Sequence, residues 1–439
     1  MPRSTAFRFT AVLAAACIAA SCATTRIPPI SAEGAAFKPA NDEQQLWQAA
    51  RDEERKLLSK ARTYNDPLLA DYLEGVVARV NTAGMAANPQ ISYRVTVLED
   101  PALNAFAYPT GSLFVHTGLL ARMENEDQLA TVLGHEMTHV ENRHMLRYQR
   151  AARNRAIGWT IAAMAAAVVL AGEAADEAHE GNWGKAARID VVSDILIGLG
   201  LQLAFLASVN GYGRDLEREA DEGGMEKLAA AGYDPNEAPK VYEILQQDAG
   251  DAPKLEAFFF GSHPQLAQRI EATTAWASTH PRRIGEATID KRDFERRMRP
   301  VIRDDARLNI AAGRLNLAQQ QLDKVLAQMP EDPETHFLLG RLKLARADAE
   351  KDRSKTAALR DEARGPIEEA IRLDPERPEY RHELALLAYR DGDRALACEQ
   401  FRYYLELDPK GEHAQAVRDY ILELQRDGDC VSSENVPGS

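Results

Sequence analysis

The run His135-Glu136-Met137-Thr138-His139 places two imidazoles four residues apart, with a carboxylate directly after the first. Residues four apart on a helix lie one turn above each other, so both rings face one side and can bind one tetrahedral zinc ion. Zinc lowers the pKa of a bound water towards neutrality, and the glutamate of such a run is placed to accept its proton. The run predicts a zinc centre with Glu136 as general base.

A catalytic zinc ion needs a third protein ligand, with the fourth position left open. The run Glu217-Arg218-Glu219-Ala220-Asp221 supplies candidates, because residues 217 and 221 share one face of a helix. We expect Glu217 to bind zinc and Asp221 to orient a histidine ligand from behind. Taken alone, this run is typical of a solvated helix; paired with the histidine run, it indicates one zinc ion per chain.

The surrounding residues predict a mostly helical domain with a small sheet. Turn-forming Pro109-Thr110-Gly111 separates two apolar runs, which indicates a β-hairpin. Alternating apolar and polar residues further upstream are typical of a half-buried strand. The predicted elements are helices at 41–64, 67–83 and 124–144, a strand at 91–97, and a hairpin formed by 104–107 and 113–115.

Several of these segments together resemble the HtpX/BepA/CAAX-protease family of gluzincin metallopeptidases. The segments that match are His135–His139, Glu217–Asp221, Gly232-Tyr233-Asp234-Pro235, Asn104-Ala105-Phe106-Ala107, Gly118-Leu119-Leu120, and Ser262-His263-Pro264 with Arg269-Ile270. The resemblance covers residues 41–275 and is closest to the periplasmic BepA-type branch, whose members join a zincin domain to tetratricopeptide repeats.

The resemblance implies roles for individual residues. It implies zinc ligation by His135, His139 and Glu217, general-base catalysis by Glu136, and support of a ligand by Asp221. It also implies that Asn104, Ala105 and Phe106 lie along the substrate cleft as an edge strand.

His263 has three open interpretations. The resemblance implies that a loop histidine here can occupy the open zinc position and hold the enzyme latent. A second role is donation of a hydrogen bond to the developing oxyanion. The third is no role, since His280-Pro281 shows that His-Pro pairs also occur elsewhere in this chain.

Three further histidines receive a structural interpretation. On a continuous helix, His144 would lie well off the ligand face, five residues after His139. His116 is expected to be packed or exposed, and His179 carries no signal.

The N-terminus predicts export. Arg3 and Arg8 precede a short apolar run, which ends at Ala20-Ser21-Cys22 and resembles a bacterial lipobox. Cys22 would then be lipidated, and Ala23 in place of Asp suggests the periplasmic face of the outer membrane. Plain secretion with an incidental cysteine is the alternative.

Residues 156–209 are apolar apart from an acidic connection, and two interpretations stay open for them. Each apolar half is close to the minimum length of a membrane span. We favour a buried or interfacial helical hairpin, because Asp194 interrupts the second half and the first half is short.

The C-terminal part predicts stacked helix pairs. Pro330, Pro375 and Pro409 end similar segments, and the last two are about 34 residues apart, the tetratricopeptide period. The longer first interval fits an insertion at 346–364, as an extended helix or a loop. Three unrelated helical hairpins are the alternative. After export, Cys398 and Cys430 either pair or remain separate thiols.

The net charge of −14, without a clustered basic patch, argues against a nucleic-acid binder.

The motifs, the predicted elements and the repeats together predict the fold class. We expect an α+β zincin-like peptidase domain followed by an all-α tetratricopeptide-repeat solenoid. The resemblance implies a zinc endopeptidase of periplasmic protein quality control, with unfolded or misassembled proteins as substrates and outer-membrane assembly machinery as a possible partner of the repeats. The alternative is a chaperone or scaffold with a latent zinc site. The predicted segments are a signal peptide at 1–21, a lipid-anchored tether at 22–40, the peptidase domain at 41–290, repeats at 301–425 and a tail at 426–439.

Overall fold

The structure is a computed structural model that describes residues 27–154, 212–251, 266–281 and 291–430. The chain divides into two compact units between Glu295 and Arg296. The predictions for Cys22, His179, His263 and the apolar region 156–209 lie outside the described residues.

The first unit is mostly helical, as predicted. A further helical stretch lies at 144–154, and 3-10 turns lie at Gly34–Ala36 and Pro235–Glu237. The helices are α1 Ile30–Glu33, α2 Asn41–Leu58, α3 Pro67–Val80, α4 Ala83–Ala86, α5 Thr117–Arg122, α6 Glu126–Glu141, α7 Arg214–Ala230, α8 Ala238–Asp251 and α9 Leu266–Thr279.

Local sequence sets where the main helices begin. Helix α3 begins with Pro67 after Asp66, whose carboxylate accepts hydrogen bonds from the first free backbone amides. Helix α6 begins after Asn125, whose side chain caps the amide of Gln128. The Asn125 cap thus fixes the start of the helix that carries the histidine run.

The small sheet has three strands in the order β1-β3-β2: β1 is Arg94–Leu98, β2 is Ala105–Ala107 and β3 is Ser112–His116. Strands β1 and β3 are parallel, and β2 and β3 form the predicted antiparallel hairpin. In the part of the chain that the structure describes, the outer edge of β2 has no strand beside it.

The long helix predicted through His144 is wrong at its C-terminal end. Helix α6 stops at Glu141, and Arg143 has a φ of 57°, in the left-handed region that a non-glycine residue rarely adopts. The chain becomes helical again at 144 with a new direction. The predicted helices at 41–64 and 67–83 also end early, at Leu58 and Val80.

The second unit is a series of helices, each from α11 onwards packed against the next along the chain. They are α10 Lys291–Ala311, α11 Leu315–Gln328, α12 Pro333–Ala349, α13 Arg353–Leu373, α14 Pro378–Asp391, α15 Arg394–Leu407 and α16 Ala414–Arg426.

The proline punctuation marks the helix pairs, as expected. Helices α12 and α14 begin at Pro333 and Pro378, and the extra residues of the first interval lengthen α12 and α13 to 17 and 21 residues. A Cβ at Gly340 would lie 2.4 Å from Cγ1 of Ile367, so only glycine allows α12 and α13 to approach this closely. The tetratricopeptide assignment itself stays a prediction.

One feature of the second unit decides an open alternative. Cys398 on α15 and Cys430 beyond α16 form a disulfide, with Cα atoms 5.7 Å apart, so the pairing alternative is the one the structure shows. Over the described ranges of both units, no helix is both long and apolar enough for a membrane span.

Candidate metal centre

Two helices bring the three predicted zinc ligands together. His135 and His139 lie on α6 and Glu217 lies on α7, and all three side chains are buried. The two Nε2 atoms are 3.0 Å apart, and the Glu217 carboxylate oxygens lie 3.5 Å from Nε2 of His135 and 3.7 Å from Nε2 of His139. One ligand atom from each residue therefore converges on one point.

The geometry of this cluster fits a zinc ion. Ligand atoms of a tetrahedral zinc site with bonds of about 2.0–2.1 Å lie roughly 3.3 Å from one another. The two Nε2 atoms are 3.0 Å apart, and each lies 3.5 or 3.7 Å from a different oxygen of the Glu217 carboxylate, so one ligand atom from each residue lies within 4.8 Å of the others. The backbone amide of Tyr212 donates to Oε1 of Glu217 at 2.9 Å and fixes the orientation of the carboxylate. Two imidazoles and one carboxylate are a donor set that zinc accepts.

Glycines at the crossing of α6 and α7 allow the ligands to meet. A Cβ at Gly224 would lie 3.1 Å from the backbone nitrogen of His135, and one at Gly223 would lie 2.6 Å from Cγ2 of Thr138. Thr138 is buried and donates to the carbonyl of Gly134 at 2.7 Å, so it has little room to move. Glycine at positions 223 and 224 therefore sets the distance between the helices.

A buried ion pair joins the same two helices away from the ligands. Lys227 on α7 lies 2.7 Å from Glu141 on α6, and both side chains are less than a tenth exposed. Tyr93 adds a hydrogen bond to the carbonyl of Met137 at 3.1 Å. These contacts hold the register of the two helices on which the ligand geometry depends.

Behind His135 lies a buried charged cluster. Oδ1 of Asp221 accepts from Nδ1 of His135 at 2.9 Å and from the hydroxyl of Tyr242 at 2.7 Å. Arg269 on α9 makes two hydrogen bonds to Asp221, of 2.8 and 2.5 Å, and covers the Tyr242 ring at 4.2 Å. Burial alone would raise the pKa of Asp221, but the Arg269 charge and the His135 hydrogen bond lower it to about 2. The geometry matches the supporting role predicted for Asp221.

Behind His139 lies a second support, which contradicts the expectation for His144. Nδ1 of His144 is 2.8 Å from Nδ1 of His139, and its Nε2 is 3.3 Å from a carboxylate oxygen of Glu219. The prediction placed His144 off the ligand face because it assumed a continuous helix, and the break at Arg143 redirects the ring. Arg147 pairs with Glu219, and this pairing holds the pKa of the carboxyl well below its usual range.

Glu136 lies next to the ligand cluster on an adjoining face of α6. Its side chain is buried, and burial raises the pKa of its carboxyl to about 8, with the charge of His135 opposing and that of Glu217 adding to the rise. A buried carboxyl with a raised pKa beside convergent metal ligands is a candidate for general acid-base catalysis.

A small pocket opens beside Glu136. Its apolar walls are Leu119, Val132, Val241 and Leu245. His135, Glu136 and Arg269 form its polar side, and Asn104 and Ala105, at the start of the edge strand β2, complete it. The pocket thus adjoins the metal ligands, the candidate base and the free sheet edge.

The three predicted cleft residues have different surroundings. Asn104 is buried at the pocket, and its Nδ2 has no hydrogen-bond partner within the described ranges. Ala105 lines the same pocket. The ring of Phe106 stacks on Phe114 at 5.0 Å in the core, and its backbone pairs with Phe114 of β3, so Phe106 does not face the outer edge. His116, at the end of β3, is buried against Phe106 and makes no contact with the ligands, as expected.

Sequence reasoning missed several residues of this centre. Arg269 was noted only as part of a matching motif, Tyr242 received no role, and His144 was interpreted as structural. Glu219 was interpreted as part of a solvated acidic run. The only available signal was the spacing of Arg269 after the Ser262-His263-Pro264 motif, which does not reveal its contact with Asp221.

Comparison with known proteins agrees with this geometry. The pattern of peptidase family M48 matches residues 67–282. The chain is 30% identical over 227 residues to a putative beta-barrel assembly-enhancing protease of Vibrio cholerae, covering 52% of this chain and 43% of that protein. It is 29% identical over 234 residues to the mitochondrial metalloendopeptidase OMA1 of Schizosaccharomyces pombe, covering 52% and 59%.

A third relative is the beta-barrel assembly-enhancing protease of Escherichia coli, 28% identical over 208 residues, covering 44% of this chain and 36% of that protein. The similarity thus spans less than two thirds of the length of each of these relatives. The family match at residues 67–282 includes the three ligands and Glu136. Residues 67–282 thus form a peptidase M48 domain, of a family of zinc metallopeptidases.

Proposed function

We propose that the chain is a zinc-dependent endopeptidase that cleaves unfolded or misassembled proteins. The observation that carries this proposal is the position of Glu136, between the convergent ligands and a pocket bordered by β2, an edge strand among the described residues. A metal site with a structural role alone would need neither a buried carboxyl beside the ligands nor an opening to a substrate.

Each part of the centre has a task in peptide hydrolysis. Zinc, when bound, supplies a Lewis acid that polarises the peptide carbonyl and lowers the pKa of water. Glu136 accepts a proton from the water molecule that attacks the peptide carbonyl, and then gives it to the leaving amine. His135, His139 and Glu217 hold the ion, and Asp221 fixes the ring of His135 through its Nδ1 proton.

The edge strand suits an extended substrate. Backbone groups of β2, Ala105–Ala107, can pair with an incoming strand, which requires a locally unfolded chain. The unpartnered Nδ2 of Asn104 can donate to a backbone carbonyl of that strand. The apolar walls of the pocket favour an apolar side chain next to the scissile bond.

We further propose that His263 acts at this centre, either as the ligand that keeps the enzyme latent or as an oxyanion donor. The support is the motif resemblance around residues 262–270. Replacement His263→Ala separates the two roles: cleavage rises if His263 keeps the enzyme latent and falls if it donates to the oxyanion.

We propose that the enzyme works in the periplasm, anchored to the outer membrane through a lipid on Cys22. The support is the export signal with its lipobox-like end and the similarity to beta-barrel assembly-enhancing proteases. The helix pairs of the second unit would form tetratricopeptide repeats that recruit substrates or the outer-membrane assembly machinery.

The second unit also favours a second candidate function. A series of packed helix pairs is typical of proteins that bind peptides or partner proteins, so the chain would act as a chaperone or scaffold with a latent zinc site. Cellular function retained in Glu136→Gln would favour this alternative.

The test of the proposed function is cleavage of unfolded casein by the chain without residues 1–22, beside Glu136→Gln at equal zinc content. We expect cleavage by the wild type, its loss after chelation and recovery with zinc, and at least a 100-fold lower rate for the variant. Equal cleavage by both proteins would refute the role of Glu136.

A further inference from the structure

A chain of hydrogen bonds leads away from His139 and is not explained by the proposed catalytic roles. It runs from Nδ1 of His139 to Nδ1 of His144 over 2.8 Å, and from Nε2 of His144 to Glu219 over 3.3 Å. Arg147 donates to both oxygens of Glu219, over 2.9 Å to Oε1 and through a shorter hydrogen bond to Oε2, the oxygen that His144 also contacts. His144 is fully buried, so water does not compete for its ring.

The positions of the protons follow from the contacts. Nε2 of His139 faces the other ligands, so the proton of its neutral ring resides on Nδ1. Nδ1 of His144 must then accept that proton, which leaves the single proton of His144 on Nε2, directed at Glu219. Hydrogen bonds thus run in one direction, from the ligand to a carboxylate that Arg147 keeps charged.

A strained residue makes this arrangement possible. On a continuous helix, five residues correspond to about 500° of rotation, which would turn His144 away from His139. The left-handed φ of 57° at Arg143 breaks the helix and turns the chain back. Arg143 is held in this conformation by a buried ion pair with Glu43 on α2, made through two hydrogen bonds.

We propose that His144 and Glu219 are positioning residues that set the orientation and donor strength of the zinc ligand His139. The inference rests on the metal centre and does not depend on peptidase activity. Ligand histidines commonly donate their second ring proton to a carboxylate or carbonyl, and loss of that partner weakens metal binding by about 10–100-fold. Here a second histidine lies between the ligand and the carboxylate.

The experiment measures zinc affinity of the full chain by competition with a chromogenic chelator. We expect His144→Phe to bind zinc about 10–100-fold more weakly than the wild type, and Glu219→Gln to show a smaller loss in the same direction. The matched control is His116→Phe, a buried histidine of the same unit that does not contact the ligands, and its zinc affinity should stay unchanged.

A further variant separates positioning from packing. In His144→Asn, the side-chain oxygen lies near the position that Nδ1 of His144 occupies in the wild type. The variant therefore retains an acceptor for His139 and should recover most of the zinc affinity that His144→Phe loses. Equal losses in His144→Phe and His144→Asn, or wild-type affinity in His144→Phe, would overturn the proposal. If His144→Phe does not fold, the comparison of Glu219→Gln with wild type decides, and an unchanged affinity there overturns it. None of these outcomes depends on casein cleavage. A failure of this inference can therefore be distinguished from a failure of the proposed peptidase function.

Discussion

The two histidine ligands of this centre are supported in different ways. His135 contacts a carboxylate directly, and that carboxylate, Asp221, is enclosed with Arg269 away from solvent. His139 reaches its carboxylate, Glu219, only through His144, and the Glu219 side chain is 36% exposed. The support of His135 is therefore direct and buried, whereas the support of His139 runs through a second side chain and ends at a partly exposed carboxylate.

This difference predicts different consequences when each support is removed. Without Asp221, the buried guanidinium of Arg269 would lose both of its hydrogen bonds to that carboxylate, which costs several kcal/mol. Without Glu219, water can solvate Arg147, whose side chain is 30% exposed. The His135 support should thus serve stability and metal binding together, and the His139 support mainly metal binding.

The largest effect is expected for Asp221→Ala. Loss of the carboxylate should lower the free energy of unfolding by about 3–5 kcal/mol and weaken zinc binding about 10–100-fold. Chemical denaturation of the zinc-free protein and chelator competition measure the two quantities. A decrease in stability no larger than that of Glu219→Ala would contradict the proposed difference between the supports.

A substitution at the helix crossing should disturb both supports together. In Gly223→Ala, the new Cβ would lie 2.6 Å from Cγ2 of Thr138 and push α7, with Glu219 and Asp221, away from α6. We expect a loss of about 1–3 kcal/mol in the free energy of unfolding, with weaker zinc binding.

The matched control is Gly75→Ala on α3, where a Cβ meets no atom within 4 Å. There, alanine should stabilise the helix by about 0.5–1 kcal/mol. Similar behaviour of the two alanine variants would show that the crossing is not tight.

Acid should weaken the support of His135 at a pH set by Asp221. Its folded pKa of about 2 lies below the ordinary value of 3.8, so its stabilisation is complete above pH 3.8 and is lost as the pH falls through about 2. The difference corresponds to about 2 kcal/mol. Denaturation of zinc-free wild type and Asp221→Asn between pH 5 and 2 should show a steeper loss for the wild type, and parallel curves would contradict the assignment.

The smallest effect is expected at the surface end of the His139 support. Arg147→Gln removes a partly exposed ion pair and should change the free energy of unfolding by about 0.2–1 kcal/mol. Because salt screens exposed charges, this contribution should shrink further in 1 M salt, whereas that of Arg269 should persist. If salt reduced the contributions of Arg147 and Arg269 to the free energy of unfolding equally, the proposed difference between the two supports would be contradicted.

Much of this centre follows from the sequence because helical periodicity is local. The spacing of His135 and His139 fixes their common face, and the spacing of Glu217 and Asp221 does the same on the second helix. The hairpin was predictable because Pro109 and Gly111 mark its turn. The helix pairs of the second unit were predictable because prolines mark their boundaries.

The supports were not predictable because they depend on contacts far apart in sequence or on a backbone break. Arg269 lies 48 residues from Asp221, and no periodicity connects them. Arg143 is neither glycine nor asparagine, the residues that most often adopt the left-handed conformation, so the position of His144 was misjudged. Glu219 looks like an ordinary exposed acid, and only its partners reveal its place in the centre.

The central claim is that His135, His139 and Glu217 hold one zinc ion while Glu136 acts on the substrate. The most direct measurement is zinc content per chain in wild type, Glu217→Ala and Glu136→Gln, with casein cleavage assayed on the same samples. The account predicts one zinc ion in wild type and in Glu136→Gln, far less than one in Glu217→Ala, and cleavage by the wild type alone. Full zinc content in Glu217→Ala, or undiminished cleavage by Glu136→Gln, would contradict it.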